Sequence, residues 1–97
     1  MFGSLFGQSR QVSKEAHARV ASGATLLDVR TREEFASGHL PGAINIPVQE
    51  LRGRASELPR GSDVVVYCRS GGRSATACAI LGASGIEALD LGPMSAW

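Results

Sequence analysis

The run Val64-Val-Val-Tyr-Cys68, followed at once by Arg-Ser-Gly-Gly-Arg-Ser, constrains this chain more than any other segment. Three β-branched residues, a tyrosine and a cysteine in succession predict a short strand of strong β preference. The glycine pair ends it, and an alanine-rich stretch from about Ser74 to Ala83 predicts a helix directly afterwards. A strand, a tight glycine loop and a helix in that order form one half of an α/β unit.

The remaining segments extend the same alternation. Ser13 is suited to cap a first helix that Gly23 ends, which leaves residues 1–12 as a loose tail and 13–97 as the folded domain. Thr25-Leu-Leu-Asp-Val-Arg30 has consecutive apolar positions, as buried parallel strands do. Thr31 stands three residues before Glu34, the spacing of a capping box, so a helix opens there and Gly38 closes it. Pro41 and Gly42 predict a turn, Ala43-Ile-Asn-Ile46 a short strand, and Pro47 the first turn of a helix from Val48 to about Leu58. Ala88-Leu-Asp-Leu91 predicts a last strand before a turn at Gly92-Pro93. The expected architecture is α/β with a mainly parallel sheet, and ligands in such sheets bind beyond the carboxyl ends of the strands. Cys68 stands at such an end.

Composition bounds the function. Ninety-seven residues form one domain, and 43% hydrophobic content allows one modest core. A formal charge of +1 gives no pull toward nucleic acid or anionic lipid. The first residues lack a basic lead and a long apolar stretch, and the longest uncharged run, Ser74 to Ile86, is too short for a membrane span. The default compartment is the cytoplasm. Two cysteines, Cys68 and Cys78, make no disulfide framework. Two dispersed histidines give no metal-site pattern, so neither metal nor cofactor is expected.

The chemistry concentrates in Cys68 to Ser74. Backbone N–H groups in a glycine-rich turn converge as a nest, and the following helix adds the positive end of its dipole. A cysteine at such a rim has a depressed pKa and is largely thiolate near neutral pH. Arg69 and Arg73 add positive field, while Gly71 and Gly72 let the backbone curl above the sulfur. A lone strand-end cysteine is ordinarily a small core residue. The glycine pair and the two arginines turn the reading toward a nucleophile.

Three segments together carry a family resemblance. Leu26-Leu-Asp-Val-Arg-Thr-Arg-Glu-Glu-Phe-Ala-Ser-Gly-His-Leu-Pro-Gly-Ala-Ile-Asn-Ile-Pro47, then the Val64–Ser74 run, then Met94-Ser-Ala-Trp97 resemble the rhodanese homology domain over about residues 13–97. The resemblance implies a five-stranded, mainly parallel sheet with helices on both faces, and thiosulfate sulfurtransferase activity through a persulfide on Cys68. It implies that the amides of Arg69, Ser70, Gly71, Gly72, Arg73 and Ser74 surround that persulfide, and that Asp28 and Arg30 are structural. Arg69 and Arg73, as cations, are expected to hold the sulfonate end of the donor. The implied partners are a small sulfur donor, a thiol or cyanide acceptor and a sulfur-relay protein, with the chain a monomer. Pro93 stands where the family pattern has a second glycine. The change is expected to alter that turn without touching the active loop.

Other residues receive plainer roles. Cys78 shares a helix face with Ala75 and Ala79 and is expected to pack in the core. His17 is expected at the surface and His39 on nearby backbone. Asp28 more naturally ties down a neighbouring loop than acts as a base, Glu33 and Glu34 serve capping and the helix dipole, and Trp97 is a hydrophobic plug. Two rival functions use the same fold. A cysteine phosphatase or arsenate reductase is disfavoured because four residues, rather than five, separate Cys68 from Arg73. A non-catalytic binding module is disfavoured by the intact cysteine loop.

Overall fold

The computed structural model describes residues 2–97, with side chains from residue 11 onward. In chain order the elements are α1 (Phe2–Ala21), β1 (Thr25–Asp28), α2 (Arg32–Ala36), β2 (Ile44–Asn45), α3 (Val48–Arg54), a 3₁₀ turn (Ala55–Glu57), β3 (Val64–Cys68), α4 (Gly72–Ala83), β4 (Ala88–Pro93) and a final 3₁₀ turn (Met94–Ala96). The strands form one parallel sheet in the order β2-β1-β3-β4. None of the described helices is long and apolar enough to cross a membrane.

The sheet has four strands, not the five implied by the family resemblance. The four are those that the residues themselves predict. Ahead of β1 the described chain is wound as α1, whose backbone groups bond within the helix and offer no ladder to a sheet. That helix also begins at Phe2, so Ser13 lies inside it rather than capping it. The Ser13 hydroxyl donates instead to the Trp97 carbonyl at 2.8 Å. Pro47 takes the N-cap position of α3, just outside the first turn where it was expected, and α3 gives way to a 3₁₀ turn after Arg54.

Alternation along β3 explains why every residue in it is buried. Val64, Val66 and Cys68 face one core with Leu27 and Val29, covered by Leu51 of α3 and by Ala77 and Leu81 of α4. Val65 and Tyr67 face the other with Leu26, covered by Ala16 of α1 and flanked by Trp97. A period of two thus serves two cores from one strand. Each fully buried aliphatic side chain contributes about 1.5–3 kcal/mol, so β3 anchors both layers and fixes the position of its last residue, Cys68.

The β3–β4 pairing carries one irregularity. Val66 pairs with Asp90 but Tyr67 pairs with Gly92, so β4 holds an extra residue, Leu91. This bulge brings Pro93 opposite Cys68. The absence of a proline N–H is tolerated at the end of an edge strand. A carbon added to Gly71 would meet Pro93 Cδ at 3.9 Å. The expectation that the Pro93 change stays apart from the active loop is therefore corrected: bulge and register bring its ring beside Gly71.

Candidate active site

Cys68 has no solvent exposure. Its Sγ accepts hydrogen bonds from the amide of Gly71 at 2.9 Å and from that of Ser74 at 3.4 Å. Gly71 is the N-cap of α4 with φ +108°, and having no side chain it makes no cap bond of its own. Helix N-caps normally present a side-chain oxygen to the third amide of the helix. Here the sulfur of Cys68 takes that place, with Ser74 as the third residue. Positive φ at Gly71 is what turns its amide toward the sulfur, a conformation open to glycine at little cost.

Burial pushes the Cys68 thiol pKa up, but the Ser74 side chain and the amides of Ser70, Gly71 and Ser74 outweigh it and hold the thiol below its ordinary value. The buried Ser74 hydroxyl donates to the Gly71 carbonyl at 3.0 Å and lies beside Sγ as well. Cys78 is the opposite case. Half-buried against the core, it has a thiol pushed up to about 11 by burial and by Asp90.

The two loop arginines differ. Arg69 is exposed and makes no ion pair among the described residues. Arg73 forms a fork with Glu34 of α2, Nη1 to Oε1 at 2.6 Å and Nη2 to Oε2 at 3.0 Å. Glu34 is also the third residue of α2. Its amide donates to Thr31 Oγ1 at 3.1 Å while its Oε1 accepts from the Thr31 amide at 3.0 Å, completing the capping box. The link to Arg73 was not foreseen from the sequence, where capping alone accounted for Glu34. The two residues lie far apart in the chain, and neighbouring Glu33 offers the same chemistry.

Asp28 and Arg30, at the carboxyl end of β1, form a buried ion pair. The guanidinium bonds both carboxylate oxygens, with Nη2 to Oδ2 at 2.6 Å, and also donates to the Gly38 carbonyl at 2.7 Å. The carboxylate is thereby committed to Arg30 and to its backbone amide at 2.9 Å. Asn45 bonds the carbonyls of Asp28 and Arg30, and the Tyr67 hydroxyl accepts from the Leu40 amide. Together these contacts tie the α2–β2 connection to the carboxyl ends of β1 and β3. His39 bonds the Phe35 carbonyl and stacks on the Phe35 ring. The exposed His17 stacks on Trp97, whose ring closes the second core.

A parallel α/β sheet with a thiol held in a ring of amides at the carboxyl end of a central strand defines a cysteine-centred oxyanion or sulfur-handling domain. Residues 12–95 match the family model for the rhodanese-like domain, and the chain belongs to that family. It is 36% identical to thiosulfate sulfurtransferase 16, chloroplastic, of Arabidopsis thaliana, covering 84% of this chain and 80% of that protein. It is 50% identical to a sulfurtransferase of Allochromatium vinosum over 58% of this chain and 52% of that protein. Among solved structures, the human single-domain sulfurtransferase TSTD1 is similar at 33% identity and a TM-score of 0.71, with 87% of each chain covered. The chain spans about half or less of the length of several curated relatives that it matches.

Proposed function

We propose that this protein transfers a sulfane sulfur through a persulfide on Cys68. The Cys68 thiolate attacks the outer sulfur of thiosulfate, the bond to the sulfonate sulfur breaks, and sulfite leaves with the electron pair. The charges balance, a thiolate and a dianion giving a persulfide anion and a dianion. Cyanide or a thiolate acceptor then attacks the outer sulfur and releases the Cys68 thiolate. Two half-reactions through a covalent intermediate predict ping-pong kinetics.

The observation that carries this reading is the sulfur of Cys68 standing in for the N-cap side chain that Gly71 lacks, with the Gly71 and Ser74 amides pointed at it. Such a thiol needs no separate base, and the same ring of donors suits the terminal sulfur of a persulfide. Of the two arginines expected to meet the sulfonate, Arg69 is assigned that contact, because Arg73 already commits two N–H groups to Glu34. The remaining residues of the run from Arg69 to Ser74 are assigned to the cradle with it. The names of the Arabidopsis and human relatives point to the same chemistry. Mass spectrometry after incubation with thiosulfate should find one added sulfur on Cys68, and cyanide should remove it as thiocyanate. A Cys68 that stays unmodified, with no thiocyanate formed, rejects the proposal.

A further inference from the structure

The Glu34–Arg73 fork has a chemistry beyond helix capping. Glu34 belongs to α2 and Arg73 to the first turn of α4, so the pair bridges two elements beside Cys68, whose charge reaches Arg73. Its side chains are neither sealed in the core nor free in solvent, at 25% and 32% exposure. With the thiolate ionised, the charges of the loop and its Glu34 partner are Arg69, Arg73, Glu34 and Cys68. Arg30, the further cation whose field reaches Arg73, is balanced by Asp28. Their sum is then zero, and removal of the Glu34 charge would make it +1.

We propose that Glu34 is a specificity-determining residue of this loop: by holding Arg73 in a bidentate pair it withholds one cation from an anionic sulfur donor and leaves Arg69 to meet it. The inference rests on the reading of Cys68 as the sulfur-carrying nucleophile. Its consequence is a site moderated against inorganic dianions, thiosulfate and the sulfite product alike, and indifferent to Glu34 when the donor carries no acid group. Glu34 acts through Arg73 and is a positioning residue; it touches neither the donor nor the sulfur.

Glu34→Gln isolates the charge, because glutamine serves the third position of a capping box as glutamate does. In this variant the freed Arg73 gains a charge-assisted contact to the donor, and KM for thiosulfate should fall roughly tenfold. Inorganic sulfate should inhibit more strongly by a similar factor, while KM for an alkyl persulfide without an acid group should stay at the wild-type value. The ultraviolet absorbance of the Cys68 thiolate should titrate at lower pH, since an uncompensated cation favours the anion. Arg73→Gln should do the reverse for thiosulfate by leaving Glu34 unpaired, and the double variant Glu34→Gln/Arg73→Gln should return close to wild type. That last arm stands even if one single variant folds poorly. An unchanged thiosulfate KM and thiolate titration in Glu34→Gln, or a double variant as weak toward thiosulfate as Arg73→Gln, overturns the inference. Sulfate binding and the thiolate titration need no turnover. They therefore test Glu34 even if Cys68 fails to load sulfur, which is the separate failure of the proposed function.

Discussion

Pro93 stands opposite Cys68 in the β3–β4 register, and its ring lies 3.9 Å from the point where a side-chain carbon on Gly71 would sit. A rigid ring therefore stands beside the Cys68 loop where the family pattern leads one to expect a flexible glycine. The direction of the Gly71 amide depends on a φ of +108°.

Gly71→Ala should expose that dependence. The added carbon finds ordinary contact distance to Pro93, so the cost comes from backbone strain, about 1–2 kcal/mol of stability. The amide would turn from Sγ to relieve it, and a hydrogen bond to a charged group is worth about 1.5–3 kcal/mol. Sulfur loading measured in a single turnover should fall roughly 10- to 100-fold. A loading rate equal to wild type would show that the 2.9 Å Gly71 contact is not what holds the thiolate.

Asp28→Ala should be the costliest change outside the loop. It leaves Arg30, only 6% exposed, as a buried cation without its carboxylate. Breaking such a pair from one side costs about 3–5 kcal/mol, a large share of the roughly 5–15 kcal/mol that holds a domain together. Urea denaturation should show the loss as a lower midpoint at similar slope. Asp28→Leu combined with Arg30→Met should lose less than Asp28→Ala alone, because neither charge is then stranded.

Acid should weaken the protein through Glu34. Its fork with Arg73, joined by the Thr31 amide, holds the carboxyl well below its ordinary 4.5, at about 2. A depressed carboxyl contributes stability that is complete above the unfolded value and is lost as pH falls toward the folded one. The contribution should therefore fade between pH 4.5 and about 2. Thermal melting across that window should fall more steeply for wild type than for Glu34→Gln, which has no proton to take up there. Parallel curves would mean that the pair adds nothing to folding.

The two cysteines should separate by pH. Hydrogen bonds hold Cys68 below the ordinary thiol range, and burial beside Asp90 lifts Cys78 to about 11. Persulfide formation should stay efficient as pH drops below that range, with all of the added sulfur on Cys68. Peptide mapping after thiosulfate treatment near neutral pH checks this, and substantial sulfur on Cys78 would contradict the assignment.

The strand and loop around Cys68 were legible in the sequence because their causes are local. β-branched residues specify a strand, glycine supplies positive φ, and the Thr31/Glu34 spacing specifies a capping box that the structure contains. The fork from Glu34 to Arg73 was not legible, because nothing in a capping box says what the outer face of its carboxylate meets. Ser13 misled for a related reason. Its hydroxyl suits a cap, yet α1 runs past it and the hydroxyl serves Trp97. The place of Pro93 depended on a bulge at Leu91, and bulges follow from how two strands pair rather than from either strand alone.

The zero exposure of Cys68 bears on which sulfur an acceptor can reach. Cys68 belongs to the first core with Leu27, Val66 and Ala77, and its Sγ lies under the Gly71 and Ser74 amides of the loop. A persulfide there would extend about 2 Å outward, the length of one S–S bond. Its terminal atom would then occupy the mouth while the carbon-bound atom stayed enclosed. In the proposed reaction, attack at the inner atom, which would strand the acceptor on the protein as a mixed disulfide and expel hydrosulfide, would meet that enclosure. Attack at the outer atom would carry the sulfur away and regenerate the thiolate, so on the proposed chemistry the depth of one side chain would decide between a transferable cargo and a dead-end adduct.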